Sequence, residues 1–139
     1  MLGDGVYCSS LPMRPGLREL VIAIVDDAAP VCEALEGLLR SEGFTAQSFA
    51  CAEDFLASDC GRDAGCLILD VRLPGMSGLQ LQQHLAAIGW RIPIVFITAQ
   101  EDADGQILAQ ALRAGATACL HKPFGDRELL TVVRSVFPR

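Results

Sequence analysis

Short apolar runs alternate with longer segments of helical spacing along most of this chain, and that alternation limits the fold more than any other feature. The runs LVIAIV (20–25), CLILDV (66–71), PIVFITA (93–99) and TACLHK (117–122) are apolar nearly throughout, and TAQSFA (45–50) is a more polar version that suits a strand nearer an edge. Runs without polar alternation fit strands buried on both faces. Between them lie APVCEALEGLLRSEG, CAEDFLAS, SGLQLQQHLAAIG, DADGQILAQALRAGA and DRELLTVVRSVF. Each has the three-to-four spacing of an amphipathic helix. Val31, Leu35, Leu38 and Leu39 share one face of the first, and Gly43 is placed to close it. Ser77 is placed as N-cap of the third helix and Asp126 as N-cap of the fifth. Five strands and five helices in alternation call for right-handed crossovers and a parallel sheet covered on both sides. The expected fold is an α/β doubly wound five-stranded parallel sheet of flavodoxin-like order, 2-1-3-4-5. Of 139 residues 51% are hydrophobic, enough for a real core in one domain. Residues 1–18, rich in Gly, Pro and Ser, read as an irregular arm, with Met13 an alternative start, and residues 19–139 as the domain.

In sheets of this kind ligands bind beyond the carboxyl ends of the strands. The first strand ends in Asp26-Asp27, the third in Asp70, the fourth in Thr98 and the fifth in Lys122. Each has a plain structural reading by itself: Asp27 as a helix cap, Asp70 as a turn residue before Pro74-Gly75, Thr98 as an ordinary strand residue, Lys122 as a solvated charge. Together they are far more specific, and Lys122 is the only lysine among 11 basic residues. Clustered carboxylates need a cation, and a hard oxygen set suits Mg²⁺. The cation and Lys122 would offset phosphoryl charge, Thr98 would donate a hydrogen bond, and one carboxylate would attack phosphorus. Asp70, between the acid pair and the Thr98/Lys122 pair, is the nucleophile to expect.

Composition removes several classes. The net charge of −6 sets aside sequence-independent nucleic-acid binding. The apolar runs 20–25 and 92–99 are far too short to span a membrane, and residues 1–16 lack the basic start and apolar run of a secretory signal, so a cytoplasmic location is the default. None of the six cysteines forms a C-x-x-C pair, and buried thiols are expected over disulfides or zinc. His84 reads as solvated and His121 as lying across the strand from Lys122; neither is assigned as a phosphoryl donor.

The segments IVDDAAPVCEALEGLLRSEGF, LILDVRLPGMSGLQLQ, IVFITA, ALRAGA and LHKPF resemble the receiver domain of two-component response regulators over residues 20–137. LDVRLPGMSG is the most specific stretch and is most similar to the FixJ-like subgroup. The resemblance implies that Asp70 accepts a phosphoryl group from a histidine kinase or phosphotransfer protein, and that Asp27, Asp70 and the backbone carbonyl of Arg72 bind Mg²⁺, with Asp26 acting through a metal-bound water. It implies that Thr98 and Lys122 hold the phosphoryl oxygens, that Gly75 and Gly78 shape the loop after the third strand, and that the Lys122–Pro123 bond is cis. The partners implied are the kinase and an unknown downstream target, with a DNA-binding output domain absent from the chain as given; the Pro-Arg ending and the leader favour a complete single-domain chain over a fragment. A phosphorylation-dependent homodimer stays open.

One position departs from the pattern. Receivers usually carry Tyr or Phe three residues before this lysine, where the sequence has Cys119. Phosphorylation should survive, but the usual coupling to the surface of the fourth helix, fifth strand and fifth helix is put in doubt. Cys119 reads as a small strand residue before a redox handle. The alternatives carried are a degenerate receiver acting as a constitutive interaction module, an aspartate-nucleophile phosphohydrolase and a flavodoxin-like cofactor binder. The phosphohydrolase pattern wants a second Asp two residues after the nucleophile, where Arg72 stands, and slow self-hydrolysis of the phosphoaspartate is all that is expected. The flavodoxin pattern wants a Ser/Thr/Gly-rich loop where Asp26-Asp27 would repel a phosphate.

Overall fold

The computed structural model describes residues 21–58, 64–98 and 106–136, with the side chains of 106–108 excepted. The expected arm at 1–18, along with Cys8, Cys60 and Ala99, lies outside the described residues. Ten elements follow in order: β1 Val21–Val25, α1 Ala29–Ser41, β2 Thr45–Phe49, α2 Ala52–Ala57, β3 Ala64–Asp70, α3 Gly78–Ala87, β4 Ile94–Thr98, α4 Gln106–Arg113, β5 Ala118–His121 and α5 Asp126–Val136. All strand pairs are parallel, and the sheet order is β2-β1-β3-β4-β5. This is the doubly wound sheet expected from the alternation.

The two faces of the sheet build two cores, divided by the period of two along each strand. Ile22 and Ile24, Cys66 and Ile68, Val95 and Ile97, and Leu120 face Leu35 and Leu39 of α1 and Leu129 and Val133 of α5. Ala23 and Val25, Leu67 and Leu69, and Phe96 face Phe55 of α2, Leu81 and Leu85 of α3 and Ala111 of α4. Every residue from Cys66 to Asp70 is buried, which is why that run shows no polar alternation. β2, an outer strand, keeps Gln47 exposed, as its more polar sequence requires.

Helix ends follow local chemistry, with two shifts from expectation. Ser77 caps α3 in a full capping box, its hydroxyl accepting from Gln80 N and its own N–H donating to the Gln80 side chain. Asp126 is the first residue of α5 rather than the residue before it, where its charge still faces the helix's positive end. α1 begins after Ala28, with Pro30 in its first turn, and no side chain caps it. Asp27 is therefore not a cap. Among the described residues no helix is long and apolar enough to cross a membrane, and Cys32, Cys51, Cys66 and Cys119 form no disulfide.

Candidate functional site

The carboxyl ends of β1, β3, β4 and β5 meet at one edge of the sheet, and the order β1-β3-β4-β5 makes them neighbours. Asp26, Asp70 and Thr98 are buried there, while Asp27 is exposed. Carboxylate oxygens of Asp26, Asp27 and Asp70 all lie within 4.8 Å of one another. Lys122 reaches back from the end of β5: its Nζ donates to Asp26 Oδ2 at 2.9 Å and to Asp70 Oδ2 at 3.3 Å. The Lys122 amide donates to the Thr98 carbonyl at 2.7 Å, which ties the two outer site residues together through the backbone. The side chains of Asp26, Asp27, Asp70 and Lys122 are thus brought to one place, and Thr98, buried at the end of β4, adjoins them through its backbone.

Backbone amides hold the buried acids in position. Asp26 Oδ1 accepts from Ala28 N at 2.8 Å, and Asp70 Oδ1 accepts from Arg72 N at 3.0 Å. The Arg72 amide bond fixes the turn carrying the Arg72 carbonyl. Asp27 has no hydrogen-bond or ion-pair partner among the described residues, so it is the acid with an open face.

The electrostatics record a conflict. Burial pushes the Asp70 carboxyl above its ordinary 3.8, and the nearby Asp26 charge pushes the same way; the Arg72 amide and Lys122 only partly offset them. Burial alone would lower Lys122, but its hydrogen bonds to Asp26 and Asp70 and their charges hold it above the usual 10.5. Three acids served by one ammonium leave a deficit of positive charge. All donors are hard oxygens, one of them with a free face, which is the chemistry of a site for a small divalent cation that keeps part of its water shell. The residues present fit Mg²⁺.

The loop from Arg72 to Ser77 is tied at several points. Gly78 N donates to the Val71 carbonyl at 2.9 Å. A Cβ at Gly78 would fall 2.3 Å from the Asp70 carbonyl oxygen, so only glycine allows α3 to start this close to the central strand. Gly75 has φ +72°, and a Cβ there would meet Glu53 Oε2 at 2.7 Å. Glu53, from the first turn of α2, accepts from Met76 N at 3.0 Å. The sequence reading missed Glu53; its contact spans 23 positions of chain and has no motif to mark it. The Lys122–Pro123 bond is cis. His84 and His121 are exposed. Cys119 is half-buried beside the core beneath α2, α3 and α4.

The family model for the response regulator receiver domain matches residues 22–134. Among curated proteins, the response regulator protein TodT of Pseudomonas putida is 44% identical over 136 residues, covering 94% of this chain and 59% of TodT. The transcriptional regulatory protein FixJ of Azorhizobium caulinodans is 34% identical over 122 residues, covering 88% of this chain and 57% of that protein. Among solved structures, the response regulator StyR superposes with a TM-score of 0.78 at 44% identity over 85% of this chain and 59% of that one. The structure titled FixJ-N gives 0.76 at 32% identity over 86% of this chain and 94% of that one. The chain spans about three-fifths of the length of these curated relatives.

Proposed function

The chain belongs to the response regulator receiver domain family of two-component signalling, and on that premise we propose that it accepts a phosphoryl group on Asp70 from a histidine kinase or phosphotransfer protein. The observation that supports this best is the Lys122 ammonium lying between buried Asp26 and Asp70, with a third carboxylate alongside. Asp26, Asp27, Asp70 and the Arg72 carbonyl would hold Mg²⁺. When bound, the ion supplies positive charge that offsets the phosphoryl oxygens.

The chain's own residues do the rest. Asp70 Oδ1 is held by the Arg72 amide, which sets the plane of the carboxylate and leaves Oδ2 facing Lys122. Oδ2 attacks phosphorus; the new O–P bond forms as the donor's bond to phosphorus breaks, and the donor leaves with that electron pair. Lys122 follows the charge as it moves from carboxylate to phosphoryl oxygens, and the Thr98 hydroxyl donates to one of them. Thr98 is buried and Lys122 half-buried, and a charge-stabilising group shielded from bulk water has the larger effect. Lysine suits this better than arginine, as a compact charge on a flexible stem.

The chain acts as a switch rather than an enzyme with a separate substrate, with slow self-hydrolysis of the phosphoaspartate. The new charge at Asp70 biases the partner surface through Thr98 and the residues after it. The test is intact-protein and peptide mass spectrometry after incubation with acetyl phosphate and Mg²⁺, comparing wild type with Asp70→Asn. One phosphoryl adduct on Asp70, lost with chelator and absent from the variant, is the expected result. An adduct elsewhere would overturn the Asp70 assignment, and no adduct even from a kinase would leave the constitutive interaction module.

A further inference from the structure

The opposite edge of the sheet, where the strands begin, carries a groove the phosphoryl chemistry does not use. It encloses about 510 Å³. One wall is a stripe of α3 and its exit, Gln82, Leu85, Ala86 and Gly89, at the spacing of a single helix face. The other wall is Ala114-Gly115, just past α4, and the floor holds Trp90. Ile88 and Leu112, 45% and 49% exposed, are the only large apolar side chains so exposed among the described residues. Ile88 adjoins Gly89, and Leu112 lies two residues before Ala114, so both sit beside groove-lining backbone.

Gln82 is the unusual member of the stripe. It is only 5% exposed, and its side-chain amide donates to the Ala111 carbonyl at 3.0 Å, linking α3 to α4. The other end of that amide, Oε1, has no partner among the described residues.

Charge then says what kind of molecule fits. Residues 71–98 and 106–125 contain no Asp or Glu at all, and four basic residues: Arg72, Arg91, Arg113 and Lys122. Residues 21–58, by contrast, carry seven acids and one arginine. The acids at 101, 102 and 104 lie outside the described residues. Arg91 lines the groove and Arg113 adjoins it; both are exposed, and neither makes an ion pair among the described residues. In a chain of net charge −6, this is a largely apolar groove flanked by two arginines that have no ion-pair partner among the described residues.

We propose that the α3–α4 groove docks an acidic amphipathic helix of a partner protein, with apolar residues over Trp90 and the neighbouring Ile88 and carboxylates on Arg91 and Arg113. This is helix-in-groove recognition, with rim charge supplying steering and specificity. It is independent of the phosphoryl reading.

Trp90 is the only tryptophan, so the chain carries its own reporter. The probe is an 18-residue peptide with leucines at i, i+3, i+4 and i+7 and glutamates on its other face, titrated into the full unphosphorylated chain. The expected result is a saturable blue shift of Trp90 emission that weakens with added salt. Arg91→Glu with Arg113→Glu should weaken binding roughly tenfold or more, with an unchanged urea midpoint showing that the variant folds. Three results would overturn the proposal: no saturable change, equal binding by the same peptide with lysine replacing glutamate, or a sedimenting dimer that the double variant dissociates, which would assign the groove to a second copy.

Discussion

The two edges of this sheet solve opposite problems. At the carboxyl edge, three acids crowd around one lysine, and burial raises the energy of at least one of them. At the amino edge, α3 and α4 meet over apolar side chains, with one buried amide cross-linking them. The first arrangement suits incoming charge at a cost to the fold; the second stabilises the fold and leaves apolar surface open. Neutralising the crowded acid should therefore change stability with the opposite sign to truncating the packing at the amino edge.

The largest effect is expected from Leu85→Ala, at the groove. Leu85 is 2% exposed, and its loss should cost about 2–4 kcal/mol in urea unfolding, while the folded protein still takes up a phosphoryl group. A variant that instead lost phosphorylation at full stability would break the division between the edges.

Next comes Gly78→Ala, which forces a methyl group against the Asp70 carbonyl. It should cost about 1–3 kcal/mol and also slow phosphorylation, measured as the rate of adduct formation. Loss of stability alone would make Gly78 a packing residue.

Asp70→Asn should act in the other direction. Without divalent cations, removing the ionised buried acid should stabilise the fold by about 0.5–2 kcal/mol, and Mg²⁺ should narrow the gap by stabilising wild type only. The pH dependence carries the same sign. With its carboxyl raised above 3.8, Asp70 binds its proton more tightly in the folded state, so wild type loses stability as pH climbs from 3.8 through the raised value. Asp70→Asn should lack that part of the slope. Lys122, raised above 10.5, contributes stability that is present below 10.5 and lost as pH rises through its own raised value. Urea midpoints across both windows check this.

The smallest change in stability should follow Glu53→Ala. Its carboxyl is held below the usual value by backbone N–H groups, its own and that of Met76, but the contact is exposed and should leave the urea midpoint unmoved. Phosphorylation should still slow if the tie to Met76 positions the loop after β3; an unchanged rate would remove Glu53 from the site.

Most of the carboxyl edge was legible because strand ends are short-range facts. An acid directly after Leu67-Ile68-Leu69, or a lone lysine after TACLH, stands out in the sequence, and the parallel sheet converts four such ends into one place. The amino edge was not legible. Gln82 looks like an ordinary polar helix residue until α4 is packed beside it, and the Gln82–Ala111 bond joins residues 29 positions apart. Strand limits shifted by a residue or two, as with β5 at Ala118–His121 inside TACLHK, because pairing with β4 sets those ends and not hydrophobicity. Asp27 could not be told from a helix cap until Ala28 took the capping position.

The carboxylate clamp on Lys122 also decides a question of chemical selectivity. Acetyl phosphate offers two electrophilic centres, a carbonyl carbon that amines attack and a phosphorus that carboxylates can attack. The chain's single side-chain amine stands beside the acid that is to react with phosphorus. Only an unprotonated amine is a nucleophile, and Asp26 and Asp70 hold this one as ammonium. The hydrogen bonds that aim the lysine thus also favour its protonated form, which disfavours acylation at Lys122 without hindering the proposed attack of Asp70 on phosphorus.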